Sequence, residues 1–388
     1  MNAQKKLSVV FGLLLVTGLV LAACQPQVVE VVKEVVVTQV VHEEVEVPVE
    51  VEKIVEVEVE KVVEVEVEKV VEVEVEKVVE VEVPVEVQQV RVNMGYIPDV
   101  QFAPFYAGIE QGFFLDEGIA IVTDFSTEED GYVLVGAGTI PFAIGAGDSL
   151  MQARSQGLPI VLVARWYNGI PSAIVSLADS GIETPADLVG KTLGMPGFYG
   201  ILYKSTLAML DANELTTDDV QMESIGWTQI AAVSEGLVDA AVVYANNEPT
   251  QMMWEGMDIN VMELTSAGNF VPIGVHTSED IIANNPELVE GFVRAFLKSV
   301  KFCVDNPDEA LDASMRAVGV YGWERSKAEM ALAASLKLWE PVDGIYGYYE
   351  EDPFIWSQDF LLSIGEMDES VDVTEAFTND FVDAVGQP

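Results

Sequence analysis

From Lys53 onward the chain repeats one eight-residue phrase, Lys-Ile-Val-Glu-Val-Glu-Val-Glu, and that repeat restricts where a folded body can lie. The copies at Lys61 and Lys69 replace only Ile54 with Val, and a last copy from Lys77 runs into Pro84. Odd positions read Lys-Val-Val-Val and even positions Val or Ile followed by three Glu, the two-residue period of a strand. β-branched Val disfavours helix, and a period of eight is not the heptad of a coiled coil. Repulsion along the Glu face favours extension. No Gly-rich turn is present to fold the segment back on itself, and Pro48 and Pro84 punctuate it. Residues 25–90 are therefore expected to form an extended low-complexity stalk, about 66 residues reaching at most ~200 Å. β-type association between stalks is the alternative. His42 stands alone there, so the stalk carries no chemistry.

Ahead of the repeat, Lys5 and Lys6 precede an apolar run from Leu7 to Val20, then Leu21-Ala22-Ala23-Cys24. The run is short for a spanning helix, and its order is that of an export signal. Small residues just before Cys24 resemble a bacterial lipobox, which implies a signal peptide over 1–23 and lipidation of Cys24. The lipid would anchor residues 24–90, and the body behind them, to the outside of the cell membrane. Cys303 is the only other cysteine, so no internal disulfide is available. It lies in a helix-periodic apolar stretch with Phe292, Phe296 and Val300 and reads as a buried small hydrophobe.

The formal net charge is −46. Residues 28–90 hold 19 Glu and 5 Lys, yet most of the excess acid lies beyond them. Such a balance argues against nucleic acid, and against a direct electrostatic hold on anionic lipid.

Composition changes at Val90-Arg91-Val92, where aromatics, Gly and Met appear. Strand-length runs (90–96, 119–125, 141–144, 160–166) alternate with helices near 102–111, 132–136 and 149–155. After a strand at 173–177 a second set follows: strands at 192–195, 220–224 and 240–243, with helices at 200–212, 228–236 and from 248. Strand-like 271–275 returns the chain to the first set, and the tail reads as helices over 286–306, 307–318, 325–338 and 353–364. Such alternation predicts an α/β body with parallel-rich sheets and ligands at the carboxyl ends of the strands. Gly112 and Gly118 are turn positions.

Gly95-Tyr96-Ile97-Pro98, Ala103-Pro104-Phe105-Tyr106-Ala107-Gly108 and Gln111-Gly112-Phe113-Phe114-Leu115-Asp116-Glu117-Gly118-Ile119 occur in order. Asp148, Ala153-Arg154-Ser155-Gln156-Gly157-Leu158-Pro159, Thr184-Pro185-Ala186-Asp187-Leu188-Val189-Gly190-Lys191-Thr192 and Gly236-Leu237-Val238-Asp239-Ala240-Ala241 continue the series. Together they resemble the bacterial solute-binding proteins that include alkanesulfonate- and thiamine-pyrimidine-precursor-binding receptors, and the segments 96–106 and 166–168 are most similar to the vitamin-binding branch. The resemblance implies a two-lobed periplasmic-binding-protein fold of type II-like form. Lobe 1 would comprise 91–175 with 271–388, and lobe 2 would comprise 176–270. It also implies a small-molecule ligand between the lobes, an ABC permease and its ATPase as partners, and no cofactor or metal.

Aromatic residues gather at the expected strand ends: Tyr96, Phe102, Trp166, Tyr167, Phe198, Tyr199, Trp227 and Tyr244. Stacked rings suit a flat ligand. Asp99, Asp148, Asn168, Asn246, Asn247 and Glu248 arrive at the same ends and suit the donor and acceptor edge of a nitrogen heterocycle. The Gly194–Gly200 loop leads into a helix and can turn backbone amides to a ligand. Gly190-Lys191-Thr192 is not a phosphate loop, because position 185 is Pro and a strand follows. Arg154 and Arg165 are expected to neutralise local carboxylates, so basic anchors for a sulfonate or phosphate are scarce. The expected function is capture of an aromatic nitrogen heterocycle, an aminopyrimidine thiamine precursor or riboflavin. A receptor for an alkanesulfonate is one alternative, a pyrimidine-synthase-like enzyme a second and an adhesive surface protein a third. The enzyme would need a Cys-rich motif and a metal-linked His, whereas the body holds only Cys303 and His276.

Overall fold

The computed structural model describes residues 36–48, 70–82 and 87–388. The expected signal peptide and Cys24 lie outside them. The chain divides into two units, 1–87 and 88–388. In the first, β1 (Val36–Pro48) and β2 (Val70–Glu82) pair antiparallel, with Val36 opposite Glu82 and Pro48 opposite Val70. Strand conformation agrees with the two-residue period. The two strands pair edge to edge, backbone N–H and C=O groups of one meeting those of the other, where the sequence suggested extension without folding back.

The second unit holds two five-stranded sheets. The first contains β3 (Gln88–Asn93), β4 (Ile119–Asp124), β5 (Phe142–Gly145) and β6 (Ile160–Arg165). The second contains β7 (Ser172–Leu177), β8 (Thr192–Met195), β9 (Gln221–Ser224), β10 (Ala240–Tyr244) and β11 (Ile259–Glu263). The chain then returns to the first sheet as β12 (Gly274–Ser278). Strand orders are β4-β3-β5-β12-β6 and β11-β7-β10-β8-β9. β3 is parallel to β4 and β5, while β12 is antiparallel to β5 and β6. β8 is parallel to β9 and β10, and β7 is antiparallel to β10 and β11. The body is α/β with two mixed sheets, as its alternation predicts.

Continuous apolar runs become central strands, because both faces of such a strand must be covered. β10 begins with four buried residues, and β12 is buried throughout. The expected boundary at 175/176 falls inside β7, which belongs wholly to the second sheet. The chain therefore crosses between sheets first over 166–171 and returns over 264–273.

The largest core lies under the helix Pro286–Asp305, whose Val289, Phe292, Phe296, Val300 and Cys303 form one buried stripe. Phe292 stacks on Phe142 of β5 at 4.0 Å. Each such ring contributes about 1.5–3 kcal/mol when fully buried. Cys303 is a core residue, and burial pushes its thiol up. Gly112 and Gly118 take left-handed φ of 75° and 71° around the short helix Phe113–Asp116, a conformation glycine adopts without steric cost.

Candidate functional site

The carboxyl ends of β3, β4, β8 and β10 and the first crossing converge on one cavity of about 780 Å³, its open mouth included. Met94 and Tyr96 follow β3, and Thr127, Glu128 and Glu129 follow β4. Trp166 and Tyr167 arrive on the first crossing and Ile273 on the second. The crossings are tied together here: the N–H groups of Trp166 and Tyr167 donate to the Ile273 carbonyl at 2.9 and 3.1 Å. From the second sheet come Pro196, Tyr199 and Gly200 after β8, and Tyr244 at the end of β10. The Gly194–Gly200 loop thus reaches the cavity at the start of the helix Gly200–Ala212.

An outer cavity of about 1200 Å³, its open mouth included, adjoins it. Tyr96 and Trp227 line both, and their rings meet edge to face at 5.0 Å and 67°. The contact spans the two sheets, since Tyr96 follows β3 and Trp227 follows β9. Asp99, Asn247, Glu248 and Glu255 line the outer cavity, with the helix Gln229–Ser234 forming another wall.

Ten of the fourteen sequence-predicted ligand residues line these two cavities: Tyr96, Asp99, Phe102, Trp166, Tyr167, Tyr199, Trp227, Tyr244, Asn247 and Glu248. Four lie elsewhere. Asp148 is fully buried and pairs with Lys204 at 3.0 Å, joining the helix Gly147–Ser155 to the helix Gly200–Ala212. Asn168 is exposed and donates from Nδ2 to the Lys337 carbonyl at 2.8 Å, fastening the first crossing to the helix Arg325–Trp339. Asn246 donates from Nδ2 to Ser335 Oγ at 2.9 Å on that same helix. Phe198 is half exposed and packs edge-on against Tyr203. Each sits beside a strand end, but its side chain turns to a neighbouring helix. Arg154 binds Glu279 and Glu375, as a charge neutraliser should.

Sequence reasoning missed Gln101, Thr127, Glu128 and Glu129. Apolar periodicity places that helix start at Tyr132, whereas the helix runs Glu128–Gly136 behind a capping box between Thr127 and Asp130. The Thr-x-x-acid pattern just after β4 was the available signal.

Three carboxyls in the cavity walls are held well above their usual range. Burial pushes Glu128 up to about 7, helped by Glu129, while the Ala146 N–H it accepts pulls the other way. Burial likewise raises Glu248 to about 7 and Asp99 to about 6. Near neutral pH these groups exchange between acceptor and donor, so one site can meet either edge of a heterocycle. No Lys or Arg lines the inner cavity, and Lys327 is the outer cavity's one base. Among the described residues no cluster of His, Cys, Asp or Glu is arranged to hold a metal ion. His276 is buried against Tyr132, and burial lowers its pKa to about 3. No described helix is long and apolar enough to cross a membrane.

Residues 99–310 match the family described as NMT1/THI5 like. The chain is 38% identical over 305 residues to the riboflavin-binding protein RibY of Chloroflexus aurantiacus, covering 76% of this chain and 86% of that one. It is 30% identical to the formylaminopyrimidine-binding protein of Halalkalibacterium halodurans, over 58% of this chain and 69% of that one. The 4-amino-5-hydroxymethyl-2-methylpyrimidine phosphate synthase of Legionella pneumophila is 24% identical, over 59% and 73%. Among solved structures, the periplasmic aliphatic sulphonate binding protein SsuA of Escherichia coli superposes with a TM-score of 0.63 at 14% identity, over 75% of this chain and 92% of that one. By sequence the chain belongs to the NMT1/THI5 like family, and its fold is the two-sheet architecture of periplasmic binding proteins.

Proposed function

We propose that this protein is the extracytoplasmic substrate-binding component of an ABC importer. It captures an aromatic nitrogen heterocycle, a flavin such as riboflavin or a thiamine-type aminopyrimidine, and delivers it to a membrane permease driven by its ATPase. The observation that carries this reading is the inner cavity: rings from both sheets around a floor that holds Glu128 near its titration point. Aromatic walls bind a flat ring by stacking, and a few convergent polar groups orient it. The printed ligands of the two receptor relatives, riboflavin and formylaminopyrimidine, support the same class. The higher identity and longer match to the riboflavin-binding relative favour the flavin.

In this reading each sheet marks one lobe, and the crossings at 166–171 and 264–273 act as the hinge. Lipidation at Cys24 would hold the receptor at the membrane, with residues 25–87 as spacer. Catalysis is the weaker reading even though several more distant relatives are named as synthases. Cys303 and His276 are both buried, and neither lines a cavity.

Tryptophan-fluorescence titration of protein stripped of carried-over ligand tests the proposal. Trp166 and Trp227 line the cavity and report on it directly. Saturable quenching by riboflavin or an aminopyrimidine, without response to an alkanesulfonate, is the expected outcome. Response to the sulfonate alone would overturn it.

A further inference from the structure

The outer cavity offers a different chemistry from the inner one. Asp99, Glu248 and Glu255 present acceptors from the β3 side and from the helix Glu248–Trp254 with its C-terminal cap. Gln229 belongs to the wall formed by the helix Gln229–Ser234, and its buried Nε2 has no protein partner. Buried polar groups without partners are uncommon and ask for an explanation. The one cation, Lys327, lies over the Trp323 ring at 4.9 Å, and its charge also acts on Asp99. Counting both cavities, five carboxyl groups face one ammonium, and no arginine is present. Because Tyr96 and Trp227 line both spaces, a ring held against them from the inner side projects its substituents toward the outer one.

We propose, resting on the heterocycle reading above, that the outer cavity is a subsite for an uncharged, polyhydroxylated tail, and that its carboxyls exclude phosphorylated forms of the same ligand. Hydroxyls donate to the carboxylates, so a polyol meets the acceptors of this cavity. A phosphate accepts only and brings like charge into a partly desolvated acidic space, an arrangement that disfavours recognition. Recognition of phosphate ordinarily relies on an arginine fork or a lysine charge. Here the only lysine stands among three acids.

The test compares three flavins on purified full-length protein: lumiflavin, which has the ring without a polyol, riboflavin, and riboflavin 5′-phosphate. Riboflavin is expected to bind about tenfold more tightly than lumiflavin, the gain of hydrogen bonds to charged acceptors. The phosphate ester is expected to bind on the order of 100-fold more weakly than riboflavin. Glu255→Lys, at an exposed position that the fold tolerates, should narrow the phosphate gap by about tenfold. Equal binding of riboflavin and its phosphate, or of riboflavin and lumiflavin, overturns the subsite while leaving the receptor reading intact. Binding of an aminopyrimidine with none of the flavins does the same. No binding by any heterocycle overturns both.

Discussion

The ion pair Asp148–Lys204 and the aromatic pair Tyr96–Trp227 both join the two sheets, and they are made of opposite materials. The first is sealed from water on both sides, with Lys204 also donating to Ser149 Oγ at 3.0 Å. Asp148 lies in the first turn of its helix, where the helix dipole favours an anion. The second stands at the boundary of two cavities, and Trp227 is 49% exposed. A buried charge pair is costly to break, because removing one partner strands the other in a low-dielectric interior. A half-exposed ring pair can part at little cost and recover its contact area from a ligand. The difference separates a junction that holds the body together from one available to open and close on a ligand, although both connect the same two sheets.

Breaking the sealed junction should have the largest effect. Lys204→Met leaves Asp148 buried without its counter-charge and should destabilise the body by about 3–5 kcal/mol in urea unfolding. Adding Asp148→Asn should restore part of that loss. Additive losses would mean that the two side chains act independently. Trp227→Ala comes next. Heterocycle affinity should fall by about 30-fold, the weight of a buried aromatic anchor, while unfolding stability changes by less than about 1 kcal/mol. A comparable loss of stability would assign the ring pair to the holding junction as well.

The smallest effect concerns pH. Glu128, Glu248 and Asp99 are raised by burial, so the folded chain binds their protons more tightly than the unfolded chain does. Their stabilising contribution is complete below the usual carboxylate range and is lost as pH rises through about 6 to 7. The melting temperature should therefore decline from pH 5 to about pH 8. Glu128→Gln, which cannot ionise, should flatten part of that slope, and an unchanged slope would remove Glu128 as its source.

Much of this body was legible in advance where one local pattern decided the outcome. β6 and β10 are apolar runs with few alternatives, whereas the apolar run at 271–275 only leads into β12, whose Gly-Val-His-Thr-Ser sequence is mostly polar. The helix Pro286–Asp305 follows from its stripe. β11 was missed because Ile259–Glu263 is short, half-exposed and mixed in character, and it becomes a strand only because β7 offers an open edge. The ten cavity residues were found because side chains after parallel strand ends gather at one place. The four others occupy equivalent positions, and only packing turned them elsewhere: Asn246 toward Ser335, Asn168 toward Lys337, Phe198 toward Tyr203 and Asp148 toward Lys204.

By itself the sequence determined the strand–helix alternation, the break between repeat and body, the acidic character of the site and the gathering of aromatics at strand ends. These follow from periodicity and composition, which act over a few residues. Only the tertiary structure decided that Tyr96 meets Trp227, that Asp148 serves Lys204 instead of the cavity, and that Glu128 sits near its titration point. Those outcomes depend on desolvation and on contacts between residues tens to more than a hundred positions apart, which no local pattern encodes.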